Sequence, residues 1–211
     1  SVAGSKLSDY IDVIKQIESS NGAHVGYEIN ISCPNVREGG VAFGNDPATS
    51  ARVVEVCRAV TDKPIITKLS PNQTNIGENA RQCIEAGTDA FAVINTVMGM
   101  AIDIEKKTPV IANNQGGISG PAIKPLALLK VHEVYQVSHK YKVPIIGQGG
   151  IVSASDAVEF LLAGASAVGI GTGLFYDPLM CKEVNQGITE YMRRHDFSSV
   201  SDITGKLELF D

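Results

Sequence analysis

Residues 143–175 read VPIIGQGGIVSASDAVEFLLAGASAVGIGTGLF. Two short apolar runs, 143–147 and 165–170, flank a helical pattern over 153–163, and a glycine-rich turn comes after each run. Runs this short do not make helices, and runs apolar on both faces suit strands covered on both sides. Strand, turn, helix and strand within about thirty residues is the repeat of a parallel sheet with right-handed crossovers.

Outward from this stretch the same rhythm recurs. Further β-branched runs lie at 27–32, 64–69 and 90–95. Between them, 8–18 carries Tyr10, Ile11, Ile14 and Ile17 at helical spacing with Asn21-Gly22 as a stop, and Asp46-Pro47 is an N-cap with proline at the first helical position. Ile76, Ala80, Cys83 and Ile84 line another helix closed by Gly87, and further helices are predicted over 123–140 and 178–194.

Polar and glycine residues cluster where each strand ends and the next helix begins: SCPN, TKLSPN, INTV, GQGG and GTGL. An open doubly wound sheet would spread such stations along an edge, whereas a barrel gathers them on one face. Five related stations point to an α/β (β/α)8 TIM barrel with about five of the eight units present, the N-terminal units being absent from this chain. The expectation is one domain over 1–211, with 97–116, of mixed helical and extended pattern, inserted over the catalytic face.

The totals narrow the function classes. The 211 residues are 44% hydrophobic and 19% charged, the makeup of a globular chain, with a formal charge of −5 and no basic run longer than Arg193-Arg194. Nucleic acid is therefore not an expected partner. No apolar stretch reaches the roughly 20 residues of a membrane span, and the opening SVAGSKLSDY has no signal-peptide pattern. Cys33, Cys57, Cys83 and Cys181 lack C-x-x-C spacing and are too scattered to hold an iron–sulfur cluster, so a cytoplasmic, reducing location is expected.

Candidate chemistry sits at the strand ends. Gly147, Gly149 and Gly150, and then Gly171, Thr172 and Gly173, are turns where backbone N–H groups could approach a phosphate, after the last two strands where barrels often build such a site. Neither turn fits a Rossmann fingerprint or a P-loop, which favours a mononucleotide such as FMN. Lys68 ends an apolar strand, where an ammonium is costly unless it meets an anion or electron-rich acceptor, here charge developing on a reduced cofactor. Asn30 and Asn95 hold equivalent stations and suit a ligand with alternating donors and acceptors. Cys33 comes after a strand at the mouth, where a thiolate could serve as base or nucleophile, whereas Cys57, Cys83 and Cys181 fall in helical patterns and read as small buried hydrophobes. No histidine among His24, His132, His139 and His195 stands in a motif, which favours base chemistry over a Cys/His nucleophilic pair.

Six stretches in this order, NISCPNVREGGVAFGNDP, TKLSPN, VINT, GGISGPAIKP, IIGQGGI and GIGTGLF, together resemble the dihydroorotate dehydrogenases, flavoprotein enzymes of pyrimidine biosynthesis. The glycine pair in REGGVAFG resembles the class 1B, NAD-linked catalytic subunit. The resemblance implies oxidation of dihydroorotate to orotate, with Cys33 as the base at C5 and hydride passing from C6 to FMN. It implies that Asn30, Asn35, Asn95 and Thr96 hold the pyrimidine, with Asn30 also reaching the flavin. Lys68 would lie against the isoalloxazine, Ile94 and Gly120 would contact it, and Gly149, Gly150, Gly171 and Thr172 would bind its phosphate. It further implies a partner subunit carrying FAD and a [2Fe-2S] cluster that passes electrons to NAD, and a homo-oligomer. The alternatives are an FMN barrel of the dihydropyrimidine dehydrogenase type, acting on uracil or thymine, and a non-catalytic barrel fragment kept as an assembly module.

Overall fold

The computed structural model describes residues 1–32 and 44–210. Its elements in chain order are β1 (Val2–Ala3), α1 (Leu7–Ser19), β2 (Tyr27–Asn30), α2 (Pro47–Arg58), β3 (Ile65–Leu69), α3 (Ile76–Glu85) and β4 (Ala90–Val93). Then come β5 (Val97–Gly99), β6 (Ile102–Asp103), β7 (Thr108–Pro109), β8 (Gly116–Ile118), α4 (Lys124–Ser138), β9 (Ile145–Gln148), α5 (Ala154–Ala163), β10 (Ala167–Gly169), α6 (Gly173–Tyr176) and α7 (Met180–Arg194). Six strands form one sheet in the order β1-β2-β3-β4-β9-β10, every neighbouring pair parallel. This is the β/α-barrel order with its two edges, β1 and β10, left apart in the described residues; closure takes eight strands. The sheet thus holds one strand more than the five expected. β1 is only two residues long, too short to leave a periodic signal, and is held in register by Val2 opposite Ile29 and Ala3 opposite Asn30.

Alternation along the strands separates two layers. Tyr27, Ile29, Ile65, Leu69, Phe91, Val93 and Ile145 point to the helices and belong to one core with Val53, Val54, Ala80, Val131 and Phe160. Burying each large apolar side chain of that layer contributes about 1.5–3 kcal/mol. Thr67, the polar member, is fully buried and satisfied by Thr88, whose hydroxyl lies 2.7 Å away. The opposite set, Glu28, Asn30, Ile66, Lys68, Ile146 and Gln148, is half-buried on the sheet's other face.

Local chemistry fixes where the helices begin. The Asp46 carboxylate accepts from Thr49 N at 2.8 Å, Asn75 Oδ1 from Glu78 N at 3.0 Å, and Ser153 Oγ from Asp156 N at 3.2 Å. Each such cap is worth about 1 kcal/mol. Two expectations need correction. Residues 97–116 contain no helix among the described residues: β5 pairs β8 and β6 pairs β7, both antiparallel, because the glycines, Pro109 and short apolar runs favour ribbons over a 3.6-residue period. Cys181 is exposed rather than a buried hydrophobe, since it lies on the outward face of α7 while Met180, Val184 and Ile188 face inward.

Candidate functional site

The carboxyl ends of β3, β4, β9 and β10 converge on a cleft of about 150 Å³. Lys68, Ile94, Asn95, Thr96, Gly120, Gly149, Gly150, Gly171 and Thr172 all line it, so strand-end residues far apart in sequence meet in one place. Asn30 joins through its side chain, whose Oδ1 accepts from Asn95 Nδ2 at 3.0 Å and from Ser32 N at 3.1 Å. Asn95 Oδ1 in turn accepts from Thr96 N at 2.7 Å. Each amide thus fixes the orientation of its neighbour. Cys33 and Asn35 lie outside the described residues.

The 97–118 ribbon is tied to this rim. Asn72 Nδ2 donates to Thr96 O at 3.1 Å, and Asn72 Oδ1 accepts from Met98 N at 2.9 Å, so one asparagine clips the β4 exit to the start of β5.

The glycine turns divide by role. Gly149 and Gly150 have φ of +135° and +83°, backbone that L side chains rarely adopt. A Cβ on Gly150 would stand 2.7 Å from Gly120 O and 3.0 Å from Lys124 Cβ, so the turn after β9 nests against the turn before α4. Gly171 is the opposite case: a Cβ there would meet nothing within 4 Å among the described residues, and the backbone is left bare beside the cleft. Thr172 Oγ1 donates to Ser119 Oγ at 2.8 Å, joining the GIGTGLF and GGISGPAIKP motifs across the rim. Gly147, which the sequence grouped with the phosphate turn, faces the other layer, where a Cβ would press to 2.7 Å from Phe160 Cδ1 and 2.9 Å from Ala165 Cβ.

Charge in the cleft is positive at one point and balanced nearby. Lys68 Nζ donates to Glu28 Oε1 at 3.4 Å, a carboxylate that also accepts from Ser1 Oγ at 3.0 Å. Behind the Gly120 turn, Lys124 Nζ pairs with Asp156 at 2.6 Å and Glu159 at 2.9 Å. Burial pushes the Asp156 carboxyl up, but hydrogen bonds from Lys124, Val152 N and Ser153 outweigh it and hold the group below its usual value. Those contacts to Asp156 hold the first residues of α5 in place behind the β9 turn.

The described residues contain no group of three His, Cys, Asp or Glu placed to hold a metal ion, and no helix long and apolar enough to cross a membrane. Cys57 and Cys83 are buried and their thiols are pushed up to about 12 by burial, which keeps them protonated and inert.

Sequence reasoning passed over several wall residues. Gln148, Ser119 and Gly169 line the cleft, and Glu28 contacts Lys68. Gln148 and Ser119 stood inside quoted motifs, and the alternation Ile145, Ile146, Gly147, Gln148 already placed Gln148 on the opposite face from the buried Ile145.

The residues present suit an anionic ligand with a hydrogen-bonding ring: bare backbone at Gly171, paired hydroxyls at Ser119 and Thr172, an ammonium at Lys68 and amides at Asn30, Asn95 and Gln148. A parallel β/α sheet of barrel order, with glycine turns after its last two strands and a polar strand-end cleft, defines a β/α-barrel protein with its candidate site at the strand ends.

Comparison narrows this class. The family model for dihydroorotate dehydrogenase matches residues 1–192. The chain is 50% identical over 203 residues to the dihydroorotate dehydrogenase B (NAD(+)) catalytic subunit of Pelobacter propionicus, covering 96% of this chain and 64% of that protein. It is 45% identical over 208 residues to the protein of the same name from Desulforamulus reducens, covering 99% and 67%. The crystal structure of an Eimeria tenella dihydroorotate dehydrogenase in complex with ferulenol superposes with a TM-score of 0.77 at 21% identity, over 95% of this chain and 57% of that one, and shows the shared fold. The chain belongs to the dihydroorotate dehydrogenase family, and it spans 64% of the length of the first relatives it matches.

Proposed function

We propose that this chain forms the substrate and FMN site of a dihydroorotate dehydrogenase, oxidising dihydroorotate to orotate in pyrimidine biosynthesis. The observation that carries the reading is the convergence of Lys68, Asn95, Thr96 and both glycine turns on one cleft in a chain of this family. The oxidation turns a C5–C6 single bond into a double bond, so a proton must leave C5 and a hydride C6. Bound FMN supplies the acceptor for that hydride. Cys33 is the base that takes the C5 proton, a step of the kind that contributes 10²–10⁴-fold. Asn30, Asn35, Asn95 and Thr96 hold the pyrimidine and its carboxylate. The hydrogen bond between Asn30 and Asn95 supports this role, because it pre-orients both amides before substrate arrives.

Lys68 faces the flavin and counters negative charge on the ring, Ile94 and Gly120 pack against the ring, and Gly149, Gly150, Gly171 and Thr172 cradle the phosphate. The name shared by the bacterial relatives, an NAD(+)-linked catalytic subunit, supports a partner subunit through which electrons reach NAD; on this reading the partner carries FAD and a [2Fe-2S] cluster. A homo-oligomeric catalytic core, a cytoplasmic location and a 97–116 segment arching over the substrate face complete the reading. Anaerobic addition of substrate to the FMN-loaded protein tests it. Dihydroorotate should bleach the flavin; bleaching by dihydrouracil in its place would assign a dihydropyrimidine dehydrogenase activity, and bleaching by neither would refute catalysis.

A further inference from the structure

We infer that Gln148 is a ligand-positioning residue of the cleft, whose side-chain amide hydrogen-bonds a carbonyl or ring-nitrogen acceptor of the flavin ring. The inference rests on the FMN reading above and adds a residue to it. Gln148 ends β9 and walls the cleft beside Ile94, whose backbone N donates to Gln148 O at 2.9 Å. Its Nε2 is closed off from solvent and has no hydrogen-bond partner among the described residues. Only one other buried side-chain polar atom among those residues, Ser138 Oγ in the helix layer, shares that condition.

An amide N–H2 carries two donors, and leaving them unpaired in a buried place is destabilising. A glutamine in a strand core therefore calls for a partner. The strand neighbours do not provide one. Gly169 beside it on β10 has no side chain, and its Cα hydrogens face Gln148 Oε1, to which a Cβ would come within 3.1 Å. The cleft is the remaining direction. Rotation about the terminal torsion, a soft twofold one, exchanges the N–H2 and Oε1 ends at little cost, and Gln148 itself lines the cleft.

Register separates the level of this amide from that of the ammonium. Lys68 lies opposite Ala92, and Ala92 opposite Ile146, so along its own strand Gln148 lies two residues further toward the carboxyl end than the position in register with the lysine, on the same face. The phosphate turns begin one residue beyond it, at Gly149. A donor between the ammonium and the phosphate cradle faces the ring of a mononucleotide rather than its phosphate.

The test uses the purified protein, loaded and stripped of flavin, with Gln148→Met, which keeps length and removes the donors, and Gln148→Glu, which keeps shape and substitutes an acceptor. Binding of FMN and of riboflavin is tracked by flavin fluorescence, and thermal unfolding is measured on the flavin-free protein. Gln148→Met should weaken FMN about tenfold, the worth of one hydrogen bond. It should weaken riboflavin by the same factor, and the flavin-free variant should melt no lower than wild type because an unsatisfied donor has gone. Gln148→Glu should bind FMN more weakly still. FMN binding by Gln148→Met within twofold of wild type, a penalty seen with FMN but not riboflavin, or a lowered melting point of the flavin-free Met variant would each overturn the inference. Wild-type protein that takes up no FMN would overturn the FMN reading, and this inference with it.

Discussion

Two alanines placed 21 residues apart should have opposite signatures, because Gly150 and Gly171 border the same cleft for different reasons. At Gly150 the backbone φ of +83° costs an L side chain about 1–2 kcal/mol. The new methyl would also lie 2.7 Å from Gly120 O, a backbone atom that can yield only by moving the turn before α4, and overpacking of this sort costs about 1–3 kcal/mol. Gly150→Ala should thus lose about 2–5 kcal/mol of stability, which at about 2–4 °C per kcal/mol lowers the melting temperature by about 4–20 °C. At Gly171 no atom of the described residues beyond its chain neighbours lies within 4 Å of the added methyl and no unusual φ is imposed, so stability should not change. The methyl instead occupies the space through which an anion would reach the backbone. Gly171→Ala should therefore keep the wild-type melting temperature without flavin while binding FMN at least about tenfold more weakly, a loss of about 1.4 kcal/mol. Calorimetry on the flavin-free proteins and fluorescence titration with FMN measure the two quantities. A Gly171→Ala protein that binds FMN as wild type does would refute the assignment of that turn to the phosphate.

Other consequences concern charge and thiols. Hydrogen bonds from Lys63, Thr61 and Tyr27 hold the Glu18 carboxyl down to about 2, and a depressed carboxylate stabilises fully above its ordinary value near 4.5 and loses that contribution as pH falls toward 2. Urea unfolding should accordingly show Glu18→Gln less stable than wild type at pH 7 with the gap shrinking by pH 3, and a gap that is constant with pH would contradict the network's role. Iodoacetamide on the native protein should alkylate exposed Cys181 and spare buried Cys57 and Cys83 until denaturant is added, as read by peptide mass; early labelling of Cys83 would show that the α3 face opens. Cys33→Ala should abolish dihydroorotate oxidation while retaining FMN, whereas Lys68→Ala should slow flavin reduction and weaken FMN retention. Wild-type turnover in the first, or an unchanged rate and FMN content in the second, would remove the respective role.

Much of the architecture was legible because strand and helix alternate with clear punctuation. Asp46, Asn75 and Ser153 cap helices as their types suggest, and the run at 143–147 led into β9 and its turn. β1 escaped notice because two residues carry no period; pairing with β2 alone makes Val2 and Ala3 a strand. Residues 97–116 read as partly helical from their mixed pattern, yet Lys106 and Lys107 sit in the turn joining β6 to β7. Within the cleft, glycine, lysine and asparagine stood out by type. Glu28 and Gln148 did not, since only the pairing of β2 with β3 sets a carboxylate beside Lys68, and only packing shows that Gln148 Nε2 lacks a partner among the described residues.

Affinity for FMN relative to riboflavin tests the central claim most directly, because the two ligands differ by the phosphate that the turns after β9 and β10 are assigned to hold. Titration of the flavin-free protein should give one FMN per chain, with riboflavin bound at least a hundredfold more weakly, equal to about 2.7 kcal/mol or more. Equal affinity for the two, or no binding of either, would contradict the account.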